Sequence, residues 1–159
     1  MNIVSTTAER VTGHTGDAVN QRIRRAAEER VKRTAQAGSA AITTRLRELD
    51  EEWDIERCLE TGASSLMLTG TLLGSLVDKR WLLLPAGVAA FLLQHALQGW
   101  CPPLPVLRRL GVRTADEIAE ERYALKALRG DFVGVGGGPD RQAGSSEPPA
   151  TKAIEAARR

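Results

Sequence analysis

Aromatic residues are scarce in this chain of 159 residues: they make up 4 % of it, as three tryptophans, two phenylalanines and one tyrosine. That supply is thin for the core of an ordinary globular domain, where large rings carry much of the burial. Cysteine is scarcer, and two residues do not make a disulfide framework. Net charge is almost absent too. Twenty-two basic residues stand against 20 acidic ones, a balance of +2, which gives no bulk argument for nucleic acid as a partner. The opening residues, MNIVSTTAERVTGHTGDAV, contain no apolar stretch of the kind a secretory signal needs, and none is expected. The glycine run after Asp131 lacks the Gly-Lys-Ser/Thr of a phosphate loop, and no strand pattern precedes it. No His-x-x-x-His or Cys-x-x-Cys spacing points to a metal site, so no metal or other cofactor is expected.

What the chain does have is Ala, Leu and Arg, a helix-forming composition. The mean hydropathy of -0.24 conceals a segregation, because the charges gather toward both ends and leave the middle nearly empty. Residues 1–16 are polar and rich in Thr and Gly, and are expected to be disordered. Helical periodicity begins at Asp17, with Val19, Ile23, Ala27 and Val31 four residues apart. It breaks at residues 36–39, QAGS, and resumes with Ile42, Leu46, Leu49 and Trp53. Residues 17–57 therefore read as amphipathic helices, each covering a neighbour with one stripe; two turns of heptad spacing are too few to define a coiled coil.

The middle differs. Thr61–Val77 contains no charge, Asp78-Lys79-Arg80 interrupts, and Trp81–Trp100 is again free of formal charge. A helix of 20 residues is about 30 Å long, the thickness of a bilayer's hydrocarbon core. Two membrane spans are expected, at about 59–77 and 81–100. Tryptophans bracket the second, where interfacial rings belong. The alternative, a buried hairpin in a soluble helical interaction module, would need matching apolar faces that the flanking helices do not offer. So short a turn makes the two spans antiparallel. After them, residues 103–132 give an extended exit fixed by Pro102, Pro103 and Pro105, then a helix opened by a capping box at Thr114 and Glu117 and stopped at Gly130. Residues 133–159 read as a disordered tail.

The stretch IERCLETGASSLMLTGTLLGSLVDKRWLLLPAGVAAFLLQHALQGWCPPLPVLRRLGVR resembles the YgaP-like transmembrane domain family. The features that carry the likeness are TGTLLG in the first helix, the short polar turn, Gly99-Trp100-Cys101 at the end of the second helix, and VLRRLG beyond it. The resemblance covers about residues 55–113 and implies a bacterial inner-membrane hairpin over residues 58–102. Some members carry a rhodanese domain with a sulfur-carrying cysteine. Here neither Cys58 nor Cys101 begins such a loop, so that activity is not carried over. The fold class expected is all-α: a two-helix transmembrane hairpin flanked by cytoplasmic amphipathic helices and disordered ends.

Polar groups inside a membrane need partners. Folding the hairpin about Lys79 sets Gln94 level with Ser65 and Gln98 level with Thr61. Cys58, Thr61, Ser65 and Thr69 share one helix face, and Ala90, Gln94, Gln98 and Cys101 share another. Interhelical hydrogen bonds between these faces are expected. His95, about 100° round from Gln94, reads as a snorkelling or hydrogen-bonded side chain rather than a ligand. Gly70 and Gly74 form a Gly-x-x-x-Gly, either a face for a second copy of the chain or packing against Pro85, Ala86 or Ala89. Cys58 and Cys101 lie level at one end, a possible thiol site in an alternative role as accessory to sulfur chemistry. The partners expected are the lipid bilayer, an unidentified protein and another copy of the chain. The role expected is anchoring or assembly, not catalysis.

Arg45, Arg47, Arg57, Arg108, Arg109 and Arg113 lie beside the open end of the hairpin, against two basic residues in the turn. By the positive-inside rule both ends of the chain are cytoplasmic. Reporter fusions at Gly16 and after the last residue are therefore expected to give cytoplasmic signals; an external signal from either contradicts a two-pass hairpin.

Overall fold

The computed structural model describes residues 10–133. Among these residues all regular structure is helical, with no strand. Helix α1 runs Asp17–Gln36 and α2 Ser39–Glu51, parted at the expected break. Helix α3, Ile55–Leu76, starts on Asp54, whose carboxylate accepts the Arg57 N–H at 2.7 Å. A 3-10 turn at Lys79–Leu82 follows and feeds α4, Leu83–Gln98. Helix α5 covers Leu104–Leu110, and α6 covers Ala115–Arg129. The chain divides into two compact units. One takes the chain up to Ala27 and Glu52–Ile118; the other takes Glu28–Glu51 and the chain from Ala119.

In the first unit α3 and α4 pack along each other. Gly70 and Gly74 are buried there and set the closeness of approach. A Cβ on Gly70 would stand 2.6 Å from Pro85 Cδ, and one on Gly74 would stand 2.7 Å from Leu82 Cγ. Small residues let two backbones meet in this way. The possible oligomer face at Gly70 and Gly74 is thus corrected: Gly70 is covered by Leu84 and Pro85 of α4 and Gly74 by Leu82 of the turn before it, all of the same chain, which is the self-packing alternative.

Below the hairpin lies a small core of Val11, Ile55, Leu59, Cys101 and Leu104, with Leu107 and Val112 against it. Each such aliphatic side chain contributes about 1.5–3 kcal/mol by leaving water. Val11 belongs to the segment expected to be disordered. Instead, residues 10–16 are laid into the unit, with a 3-10 turn at Thr12–His14 and Thr15 buried. The exit after α4 is also not extended. Prolines stand at the first turn of α5, where their missing N–H groups interrupt nothing, so Pro103 and Pro105 start a helix rather than prevent one.

Arg108 on α5 is 1 % exposed. Its Nε donates to Thr15 Oγ1 at 3.2 Å; Nη1 donates to Val112 O at 3.0 Å and Glu117 Oε2 at 2.7 Å; Nη2 donates to Asn20 Oδ1 at 2.9 Å and Glu117 Oε1 at 2.7 Å. Five donors meet five acceptors drawn from the N-terminal segment, α1, the loop after α5 and α6. Glu117 also completes the capping box: its carboxylate accepts the Thr114 N–H at 2.9 Å, and Thr114 Oγ1 accepts the Glu117 N–H at 3.2 Å. A second pair, Arg113 with Glu52, closes at 2.7 Å, and Arg113 O accepts the Ile55 N–H at 2.8 Å.

The second unit has Ile42, Leu46, Leu49 and Leu125 at its centre. Glu121 of α6 is buried among them and takes Arg30 of α1 and Arg45 of α2. Arg122 ties α6 to the end of α2 through Leu49 O at 3.1 Å and Asp50 at 2.7 Å.

Arg108→Ala strands the Glu117 carboxylate, and a loss of about 3–5 kcal/mol is expected in denaturant unfolding, the cost of breaking a buried pair. Arg108→Lys restores little, because an ammonium cannot fill five positions in a planar fork. Burial works to raise the Glu117 carboxyl, but hydrogen bonds from Arg108 and the Thr114 amide, with the charges of Arg108 and Arg113, outweigh it and hold it below the usual range. A depressed carboxyl contributes stability above its unfolded pKa of about 4.3 and loses it as pH falls through the lower folded value. Unfolding free energy should therefore be level near neutrality and fall below about pH 4, with a shallower fall in Glu117→Gln.

Candidate functional site at the foot of the hairpin

Helix α4 ends on Gly99, which has φ 77° and returns its N–H to His95 O at 2.7 Å. Glycine is required there twice over, since a Cβ would meet both the left-handed backbone and the main chain of Arg10. This close approach brings Arg10 to the last turn of α4, where Nη1 donates to Ala96 O at 3.2 Å. Its Nη2 meets Glu56 Oε1 on α3 at 3.2 Å, and the other oxygen of Glu56 lies 3.0 Å from His95 Nε2. Two elements far apart in sequence thus converge on one carboxylate of a third.

His95 is 4 % exposed, at the end of the apolar run of α4. With its proton on Nε2, each oxygen of Glu56 receives one donor, and the ring is held in one orientation. Nδ1 is buried and has no hydrogen-bond partner. The cluster is placed to do two things: cap the carbonyls at the C-terminus of α4 with a cation, which the helix dipole favours, and pin α3, α4 and the N-terminal segment to one another. Snorkelling does not describe His95; it is turned inward onto Glu56.

The residues singled out from sequence land elsewhere. Thr61 and Ser65 are exposed, Gln94 is half-buried and Gln98 is exposed. The face of α3 against α4 passes through Leu59, Ala63, Met67, Gly70 and Gly74, a stripe far round the helix from Thr61 and Ser65. The hydroxyl of Ser65 donates to Thr61 O and that of Thr69 to Ser65 O, each at 2.8 Å. The expected matching of Thr61 and Ser65 with Gln98 and Gln94 as facing layers is corrected accordingly. Glycines rather than hydroxyl residues take the closest approach. Glu56 and Arg10 were not singled out. One signal was there for Glu56: it lies three residues before the expected span at about 59–77, near the level of the end of α4.

Cys101 is buried and Cys58 is half-buried, both as free thiols. Burial pushes the Cys101 thiol up; a hydrogen bond from the Leu104 backbone opposes this, and the charge of Glu56 adds to it. A thiol held protonated and covered is poorly set up as a nucleophile. Among the described residues no group of three or more His, Cys, Asp or Glu is arranged to hold a metal ion. Comparison with protein-family models, with curated proteins and with solved structures returns no match to this chain.

Maleimide labelling of the folded chain is expected to modify Cys58 well before Cys101, with Cys101 reacting only on unfolding. Equal rates would show that Cys101 is open, and would restore the thiol-accessory reading.

Proposed function

We propose that this chain is an integral protein of the bacterial inner membrane, of the YgaP-like kind, in which α3 and α4 cross the bilayer as a hairpin and anchor cytoplasmic helices. The observation that carries the reading is the surface of the hairpin. The stretch Lys79–Gln98 is long and apolar enough to cross a membrane, and 6 % of its apolar part is buried within the chain. Leu68, Leu76, Leu83, Phe91, Leu93 and Leu97 are all exposed. So large an apolar face needs a covering, and hydrocarbon is one that suits every side of it at once.

Helix α3 is more diluted, with Thr, Ser and Gly among its leucines, and is less apolar than α4. Its hydroxyls are nevertheless arranged as lipid requires. Those of Ser65, Thr69, Thr71 and Ser75 each donate to the carbonyl four residues back, at 2.7–2.8 Å, so none asks for water. Interfacial residues suit both ends. Trp81 is exposed beside the turn, and at the foot the Arg57 guanidinium lies 4.3 Å from the ring of Trp53. The Arg10–Glu56–His95 cluster then serves as a fastening between the hairpin and the segment before α1. In this reading the task is anchoring and assembly, with no catalytic step.

Carbonate washing of membranes from cells expressing the full chain is expected to leave it in the pellet. Phe91→Arg, which costs about 2.5–3.5 kcal/mol in the middle of a span, should shift it out of that fraction. Release of the unaltered chain by carbonate sinks the membrane reading and favours a helical module whose apolar face is covered by another protein.

A further inference from the structure

The second unit holds a groove that the anchoring role does not use. It is open, about 480 Å³ in volume, and lies between the C-terminal half of α1 and α2. That volume falls within the roughly 300–1,000 Å³ of small-molecule sites. Its polar lining is Arg30, Arg33, Thr34, Thr44, Arg45 and Glu48.

Two of the arginines are held in place from beneath. Glu121, whose side chain is fully buried, accepts Arg30 Nε and Nη2 at 3.3 and 3.1 Å, and Arg45 Nε at 2.8 Å. Arg45 also meets Glu48 at 2.9 Å. These two carboxylates balance two of the three guanidiniums, and the third, Arg33, is in excess. Among the described residues Arg33 commits only its Nε, to Glu29 O at 3.4 Å, and Arg30 Nη1 commits nothing. Among the described residues the Thr34 and Thr44 hydroxyls have no hydrogen-bond partner either. The groove thus presents two guanidinium edges one helical turn apart, with a hydroxyl on each wall.

Guanidinium edges and hydroxyls are donors suited to the oxygens of a phosphate, and Arg in particular matches them in a planar fork. The excess positive charge disfavours a cation. Because Glu121 already orders Arg30, little freedom of that side chain remains to be lost on binding, whereas the exposed Arg33 must be ordered by the ligand. We propose that this groove binds a phosphate ester, with Arg33 and Arg30 on the phosphate oxygens and Thr34 and Thr44 beside them. The inference does not rest on the membrane reading.

The test uses the purified full chain in neutral detergent, titrated with glycerol phosphate and with a short-chain phosphatidic acid below its micelle concentration. Glycerol and a neutral short-chain glyceride serve as controls. At least one phosphate probe should bind saturably where its control does not. Arg33→Gln should weaken binding at least about tenfold, as loss of a charge-assisted contact does. Arg47→Gln, exposed on α2 and outside the groove lining, should leave it unchanged. Binding of glycerol phosphate alone assigns a soluble ester; binding of the lipid alone assigns a headgroup; binding of both assigns recognition of the phosphate itself. No saturable binding of either probe by the folded chain overturns the proposal. So does binding that Arg33→Gln and Thr34→Val both leave unaltered.

Discussion

The burial of one guanidinium, that of Arg108, is the constraint on which the first unit depends. A cation taken out of water is tolerable only if each of its donors is answered. Arg108 achieves this by drawing its acceptors from four places: Thr15, Asn20, Val112 and both oxygens of Glu117. None of these elements can drift without orphaning a buried donor. The N-terminal segment, α1, α5 and the start of α6 are thereby held by geometry rather than by apolar bulk, which a core of five small and medium side chains could not supply alone. The same device recurs in the second unit with the signs exchanged, where the buried Glu121 gathers Arg30 and Arg45. A chain poor in aromatics makes up in charged pairs part of what it lacks in rings.

Periodicity made the helices legible. The stripe Val19, Ile23, Ala27, Val31, the break at Gly38 and the capping box at Thr114 are local signals, and each lies where the pattern put it. The exit failed for a reason that is also local: three prolines were weighed as breakers, although Pro in a first turn begins a helix as readily as it ends one. That α3 pairs with α4 was legible, but the rotation of each helix in the pair was not. Helical position fixes which residues share a height, whereas the face presented is chosen by how closely two backbones can come. Gly70 and Gly74 permit a closer approach than Ser65 and Thr61, so the glycine face was taken.

The cluster at the foot was hidden more deeply. Arg10 and Glu56 lie 46 residues apart, and Arg10 and Ala96 lie 86 apart. Periodicity carries no information at such separations, and Arg10 sits in a stretch whose composition argues for disorder. What ordered residues 10–16 was tertiary: an apolar residue, Val11, and a glycine at position 99 that leaves room for the main chain of Arg10. The arginine groove was equally invisible, since a basic helix face reads as solvated until a second helix is laid beside it.

The reach of these contacts has a consequence for synthesis. Arg10 and Thr15 are made well before their partners Ala96 and Arg108, which follow 86 and 93 residues later. At about 5–20 residues per second, the segment must wait roughly 5–20 seconds for the groups that bury it. Throughout that time α3 and α4 are emerging and must find their apolar covering. The first unit therefore closes only after the hairpin has turned. The N-terminal segment is a latch that records the hairpin's completion rather than a nucleus that directs it.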